Sequence, residues 1–462
     1  MVCSEYASLA KTGGLADAVT GLSLALCARG HDVRVLLPKY SQLPAGTRVK
    51  PRGGQAAKFR YLELPAHTRA PRVYLLDLPE LTGGEIYTGD ERDAARFMQL
   101  AEAALLLGEV LRWHPDILHC HDWHAALVPV LQEARELLAA APTVLTLHNI
   151  GYQGVFADSV LEENGYADLV DVIETDALAG GTVNFLRAGI GSATAITTVS
   201  PTYAKEICTP AYGMGLEDLL TARQKDLTGI LNGVDYATWS PESDSFLAKH
   251  YDTRDLAPKY ELKAALCARL GLIADRNAAL LGVVSRLVPQ KGIDLLLAAM
   301  PALLRETRAS FALLGSGDPT FTEGLQALAA EHPRRVSFTN GYDEQLAHYI
   351  LAASDIVLMP SRYEPCGLTQ LYALRYGSIP VVRATGGLAD TIEHFDPVTG
   401  EGNGSVFKDA NAGGLLWGTR TALQWLDEPA ARSRVIGNAM SADFSWQKQV
   451  EHYERLYQRL LT

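Results

Sequence analysis

Residues 379–390 read IPVVRATGGLAD, and the last six of them, TGGLAD, also stand at residues 12–17. IPVV is a short β-branched apolar run and reads as a buried strand. Residues 384–387 are small and read as a turn, after which Leu388, Ile392 and Phe395 recur at helical spacing. The first copy opens a helix whose apolar face is Leu15, Val19, Leu22 and Leu26, with Gly30 as its stop. Each copy is a glycine turn feeding a helix N-terminus. Glycine gives such a turn backbone room. The helix start also directs N–H groups and the positive dipole end outward, which suits phosphate. One copy lies early in its half of the chain and the other late, so simple duplication is excluded. The same device on two walls of a cleft would clamp a diphosphate.

Outward from these turns, apolar β-rich runs alternate with longer helical patterns. The runs are 33–37, 73–76, 116–119, 143–147 and 196–199, then 280–284, 310–314, 356–359 and 379–382. Strands alternating with helices imply parallel sheets with right-handed crossovers. So many strands exceed one ordinary open sheet, and LNGVDYATWSP (231–241) is a turn-rich break. The stretch from there to about residue 279 is charged and helical. The expected fold class is α/β, with two Rossmann-like doubly wound domains facing across a cleft. The expected bounds are 1–240, 241–443 and a C-terminal helix at 444–462 that packs back on the first domain. Ligands of such sheets bind at the strand C-termini.

A net charge of −12 argues against nucleic acid or an anionic membrane as a partner. An anionic small ligand would then need a local cluster of Lys and Arg. The six cysteines are scattered with no C-x-x-C pair, as in a reducing cytoplasm. No stretch approaches the ~20 apolar residues of a membrane span, and the start lacks a signal-peptide core.

Two segments offer chemistry beside the glycine turns. VVSRLVPQKGID (283–294) places Arg286 just after a strand and Lys291 near the next helix start. Two cations at the mouth of a sheet fit a diphosphate leaving group, and Lys11 could add a third. HCHDWH (119–124) holds three histidines and an aspartate, as a metallohydrolase site would, although a metal needs further ligands from elsewhere. Alternatively, Asp122 and Trp123 face a sugar, with His148 and Asn149 of TLHN (146–149) on the same rim. His119 and His121 then serve as hydrogen-bonded structural residues.

KTGGLAD, HCHDWHA, LHNIGYQGVF, VSPTYAKEI, ILNGVD, VSRLVPQKGID and SRYEPCGLTQLYALRYGSIPVVRATGGLADTI occur in this order, followed by a terminal FSW. Together they resemble bacterial glycogen synthases and plant starch synthases, retaining glycosyltransferases of the GT-B fold. The resemblance covers nearly the whole chain. It implies transfer of glucose from ADP-glucose to the 4-OH end of an α-1,4-glucan, without cofactor or metal, in the cytoplasm or a plastid. It places Lys11, Arg286 and Lys291 at the diphosphate, with Lys263 as a further basic position. Asp122, Trp123, His148, Asn149 and Asn232 fall on the sugar side, and Tyr87 on the acceptor side. Glu364 holds glucose hydroxyls, Gly386 and Gly387 form the phosphate loop, and Tyr342 stacks on adenine. Gly13, Gly14, Cys366 and Thr385 lie in the same motifs and count among the substrate-binding positions. The expected mechanism is front-face attack, with Glu364 orienting the sugar. A nucleotide-sugar or glucan binder without catalysis is the other reading, beside the metallohydrolase. Two departures stand out. Tyr372 occupies the place where related glycosyltransferases carry a second glutamate. Only Met1–Cys3 precede Ser4-Glu5, where the family has a full strand, so most of that strand's pairing is expected to be missing.

Overall fold

A computed structural model describes residues 1–50, 58–65, 68–78, 83–173, 175–275 and 277–462. The chain divides into two compact units, Met1–Gly233 with Trp446–Thr462, and Val234–Ser445. The Val234 N–H donates to the Phe444 carbonyl at 2.8 Å, so the chain enters and leaves the second unit side by side. Residues 234–240 therefore belong to the second unit, ahead of the expected break after residue 240.

In the first unit, strands Leu118–His121, Thr143–Leu147, Ala195–Thr198 and Leu227–Gly229 form one parallel set. Arg34–Pro38 pairs in parallel with Arg72–Leu76. Beyond it, Tyr61–Glu63 and Thr47–Val49 continue antiparallel, contrary to the all-parallel expectation. Met1–Cys3 joins the two sets. Val2 bridges Leu36 and Cys120, and the Val2 N–H donates to the His119 carbonyl at 2.8 Å. The His121 N–H returns to the Val2 carbonyl at 3.1 Å. The strand there spans 118–121, two residues later than its apolar run suggested, and takes in both His119 and His121.

Helix Gly14–Ala28 buries Leu15, Val19, Leu22 and Leu26, and Gly30 follows it at φ +98°. Helix Trp446–Leu461 lies on the same unit. A Cβ on Gly21 would fall 1.8 Å from the Trp446 indole Nε1, and one on Gly233 would fall 2.6 Å from the ring. Glycine at both positions is thus required by the indole seated on them.

The second unit has one six-stranded parallel sheet. Its order is Val336–Asn340, Ser310–Gly315, Leu280–Val284, Ile356–Met359, Ile379–Arg383 and Ser405–Phe407. The chain first winds outward from Leu280–Val284, then crosses back to lay Ile356–Met359 against that strand's other edge. This reversal is the switch point at which doubly wound sheets bind ligands. The helix after the second glycine turn spans only Gly386–Thr391, and Ile392 is extended. Leu388, Ile392 and Phe395 are all buried, so their spacing reported burial, not helix length. No helix among the described residues is long and apolar enough to cross a membrane.

Trp446→Ala removes a buried ring, and no side chain at Gly21 or Gly233 can refill the space. The first unit is expected to lose ~3–5 kcal/mol, read as a lower midpoint of its urea transition.

Candidate functional site

Lys291 and Glu364 meet at the switch point. Lys291 ends the short turn Pro289–Lys291, which follows strand Leu280–Val284. Gly292 then takes φ +66°, and a Cβ there would lie 2.1 Å from the Pro360 carbonyl oxygen. Only glycine lets this turn approach the loop after Ile356–Met359. Hydrogen bonds fasten the two segments: the Arg362 N–H donates to the Gln290 carbonyl at 2.8 Å, and Gln290 Nε2 to the Tyr363 carbonyl at 3.2 Å. The Arg362 guanidinium also pairs with Asp294 at 2.6 Å. Lys291 Nζ then lies 2.8 and 2.6 Å from the two Glu364 carboxylate oxygens, and the Ser361 hydroxyl donates to Oε2 at 2.9 Å. Glu364 is buried.

The second TGG turn supports this pair from behind. A Cβ on Gly386 would sit 2.0 Å from the Glu364 carbonyl oxygen, and one on Gly387 2.0 Å from that of Cys366. The Gly387 N–H donates to the Glu364 carbonyl at 3.0 Å. Thr385 and Cys366 are buried in the same joint. Arg383, which the sequence did not single out, donates Nε to the Ser361 carbonyl at 2.8 Å and a second N–H to Arg362. Arg286 stands exposed on the same strand's C-terminal side, with no ion pair among the described residues. Tyr342, 75% exposed, follows strand Val336–Asn340.

Lys263 does not join this group. Its ammonium pairs with Asp355 at 2.6 Å and donates to the Ala278 carbonyl at 2.7 Å. Asp355 also accepts from the Leu280 N–H at 2.7 Å. These residues precede their strands, so Lys263 braces the N-terminal edge of the sheet, opposite to Lys291. A role for it at the diphosphate is not supported.

In the first unit two of the TGG amides, those of Thr12 and Gly13, are already engaged. The buried Glu5 carboxylate accepts from the Thr12 N–H at 2.6 Å, the Thr12 hydroxyl at 2.7 Å and the Gly13 N–H at 3.1 Å. The Tyr87 phenol donates to it at 2.6 Å and lies 2.9 Å from the Ser4 hydroxyl. This corrects the expectation of outward-facing Thr12 and Gly13 amides, because an internal carboxylate fills the nest. It also ties the Tyr87 hydroxyl inward, and burial together with Glu5 pushes its pKa up. Lys11 pairs with Asp17 at 2.8 Å at the partly exposed helix start. Gly13 is extended, with nothing within 4 Å of a Cβ, so neither conformation nor packing calls for glycine there. Gly14 begins the helix.

Asp122 joins strand Leu118–His121 to the turn Trp123–Ala125 at φ +57°, ψ −173°, a region costly for any side chain. Its Oδ1 accepts from the His148 N–H at 2.7 Å and the Asn149 N–H at 3.4 Å. Burial pushes its carboxyl up to about 7 against the pull of those two amides. Burial also lowers the neighbouring histidines, His148 to about 3. His148 Nε2 lies 3.1 Å from His121 Nδ1, while His119 bonds the Tyr457 hydroxyl at 2.7 Å and Thr146 at 2.6 Å. His119 and His121 are thus buried, uncharged and hydrogen-bonded. His121 Nε2 and His124 Nδ1 accept or donate no hydrogen bond among the described residues, but no group of three or more His, Cys, Asp or Glu placed to hold a metal occurs there, so the metallohydrolase reading has no ligand set to rest on. Trp123 is wedged against Phe97 and His124, with ring centroids 5.0 and 4.2 Å away. Asn149 Oδ1 accepts from the Gly151 N–H at 2.9 Å. Asn232 is buried, and its Oδ1 accepts no hydrogen bond among the described residues.

The chain can be placed among known proteins. Residues 1–222 match the family model described as starch synthase catalytic domain, and residues 272–440 match glycosyl transferases group 1. A glycogen synthase of Anaeromyxobacter dehalogenans is 43% identical over 479 aligned positions, covering 99% of this chain and 98% of that protein. A glycogen synthase of Alkalilimnicola ehrlichii is 43% identical, covering 98% and 97%. The solved catalytic domain of starch synthase IV from Arabidopsis thaliana, bound to ADP and acarbose, superposes with a TM-score of 0.90 at 34% identity, covering 100% of this chain and 98% of that one. Sucrose-phosphate synthase from Thermosynechococcus elongatus shares the fold, with a TM-score of 0.61 at 20% identity over 97% of this chain and 94% of that one.

Asp122 gives a pH-dependent prediction. Its folded pKa, about 7, exceeds the unfolded value of ~3.9. The folded state therefore keeps a proton that the unfolded state releases, and this group's contribution to stability falls as pH rises from about 4 to 7. Asp122→Asn keeps an acceptor oxygen and cannot ionise. Relative to the parent, it should be little changed near pH 4 and more stable by ~2–4 kcal/mol at pH 8, read from melting temperatures across that range. The depressed histidines lower stability of both proteins below about pH 6.5.

Proposed function

The chain belongs to the glycogen and starch synthase family of GT-B glycosyltransferases, and from that premise we propose that it transfers glucose from ADP-glucose to the non-reducing 4-OH of an α-1,4-glucan with retention. The observation that carries the donor assignment is the Lys291–Glu364 pair at the switch point, with Arg286 exposed at the C-terminal end of strand Leu280–Val284. Breaking a glycosyl–phosphate bond develops positive charge at the sugar carbon and negative charge on the diphosphate. Arg286 and Lys291 stabilise the departing anion as that charge grows. Glu364 orients glucose hydroxyls. It is a poor nucleophile, because its oxygens are bound by Lys291 and Ser361. The acceptor hydroxyl therefore attacks on the face the diphosphate leaves, and a departing phosphate oxygen takes its proton. The carboxyl of Asp122 and the amide of Asn232 are suited to sugar hydroxyls, one held by two amides and the other with an acceptor to spare. His148, neutral by burial, serves as a hydrogen-bond partner and not as a cation. Tyr342 offers an exposed ring for the base. The ADP and acarbose on the Arabidopsis relative support an adenosine diphosphate donor and a glucan acceptor. Six cysteines scattered without a C-x-x-C pair support a reducing, cytoplasmic setting.

The test supplies radiolabelled ADP-glucose or UDP-glucose with glycogen and follows incorporation. ADP-glucose should give kcat/KM at least about tenfold higher, and absence of transfer from it would reject the proposal. Lys291→Ala should lower kcat well over tenfold, since a contact to the leaving group acts mainly in the transition state. Unchanged turnover would remove Lys291 from the diphosphate.

A further inference from the structure

Glu5 is 3% exposed, and its two oxygens hold different parts of the first unit. Oε2 accepts from the Thr12 and Gly13 N–H groups at 2.6 and 3.1 Å. Oε1 accepts from the Thr12 hydroxyl at 2.7 Å and from the Tyr87 phenol at 2.6 Å. All of these donors are neutral, and no cation pairs with the carboxylate among the described residues. A carboxylate buried without a counter-ion is tolerated only while its hydrogen bonds are kept. The turn and the phenol are therefore held at one spacing.

On the turn side, a Cβ on Gly13 would meet nothing within 4 Å, so no packing wedges this segment in place. Just before it, the Tyr6 and Ala10 N–H groups each donate to the other's carbonyl at 2.9 Å. That hairpin brings Glu5 back beside Thr12, with Lys11 at its exit. On the phenol side, helix Glu91–Leu111 grips the loop that carries Tyr87. The fully buried Arg96 donates to the Ile86 carbonyl at 2.7 Å, and Asp93 Oδ2 accepts from the Thr88 and Gly89 N–H groups, each at 2.9 Å. The Tyr87 ring lies on the His124 imidazole, with centroids 4.8 Å apart and planes 21° apart. His124 belongs to the turn that follows Asp122. One carboxylate thus links the Lys11 turn to the rim that carries Asp122.

We propose that Glu5 is a positioning residue of glucosyl transfer: its carboxylate fixes the distance between the turn that carries Lys11 and the rim of Tyr87, His124 and Asp122. The inference rests on the glucan-synthase reading above, in which the turn meets the diphosphate and the rim meets the sugar. Glu5 acts through Thr12, Gly13 and Tyr87, which occupy its oxygens. A misplacement of about 1 Å costs up to ~100-fold in rate, so a spacing set by one buried side chain is enough to control turnover. The reach of that side chain then matters more than its charge. Glu5→Gln keeps the reach: its oxygen accepts from the turn amides, and its NH2 donates to the two hydroxyls. Glu5→Asp keeps the charge and is one methylene too short.

The experiment follows transfer from ADP-glucose to glycogen by the full chain, Glu5→Gln and Glu5→Asp, with ADP affinity by titration and circular dichroism as the fold control. Glu5→Asp should lower kcat about tenfold or more, while Glu5→Gln stays within about threefold of the parent. ADP affinity should change less than about threefold in either, because the loss lies in the transition state. Tyr61→Phe takes a buried phenol from the Ala103 carbonyl in the same unit, and serves as the stability control. It should lower the melting temperature and leave kcat unchanged. Parent-like kcat in folded Glu5→Asp would overturn the proposal. So would a Glu5→Gln as slow as Glu5→Asp, or a Tyr61→Phe that slows transfer equally. A parent that transfers no glucose would sink the reaction assignment and this inference together, whereas an active parent whose two Glu5 variants do not differ would sink the inference alone.

Discussion

The ion pair between Lys291 and Glu364 is the constraint around which the second unit's ligand edge is built. Burying a carboxylate is costly unless a partner of opposite charge and further hydrogen bonds replace its water. Here Lys291 binds both oxygens and Ser361 one of them. That arrangement holds only if two loops from different strands stay in register. Gly292 admits the close approach, Arg362 and Gln290 lace the loops, and Gly386 and Gly387 let a third loop press on the backbone of residues 364–366. Glycines whose turns suit phosphate thus have a prior packing duty. The same joint leaves a cation and a carboxylate side by side, which a charged donor sugar requires.

The first unit uses carboxylates in a related way. Glu5 gathers two backbone amides, a threonine hydroxyl and the Tyr87 phenol, so the first TGG turn closes around a protein group. Asp122 takes two amides from the next loop at the expense of a strained backbone. Strain of that kind persists where the surroundings fix it, and it tends to mark working sites. The histidines around Asp122 are uncharged by burial, which leaves Asp122 as the ionisable group of that rim nearest to neutrality. One six-residue phrase therefore does two jobs. At 385–390 it braces the loop carrying Glu364, and at 12–17 it encloses Glu5.

Much of this was legible in the sequence because buried parallel strands are apolar throughout. Leu280–Val284, Ser310–Gly315 and Ile379–Arg383 stand close to where their runs put them. The three-residue strands Thr47–Val49 and Tyr61–Glu63 carry no such run, since their pairing and not their composition defines them. The strand at Leu118–His121 was placed early because its edges are set by pairing with Thr143–Leu147 and with Val2, which composition does not display. Arg286 and Lys291 were singled out because they follow a strand's C-terminal end, whereas Glu364 was singled out through the resemblance of its motif. Lys263 misled because a lysine on a helix does not reveal which end of the sheet it reaches, and Asp355 draws it to the other one. Glu5 and Arg383 were missed as site residues because their partners are backbone groups, which sequence does not display.

The most direct test of the central pair is a double-mutant cycle on kcat/KM for ADP-glucose with Lys291→Ala and Glu364→Gln. If the two side chains act as one unit, the second substitution adds little to the first, and the coupling reaches ~2 kcal/mol or more. Losses that simply add, to within ~0.5 kcal/mol, would show that Lys291 and Glu364 work independently and would contradict the account.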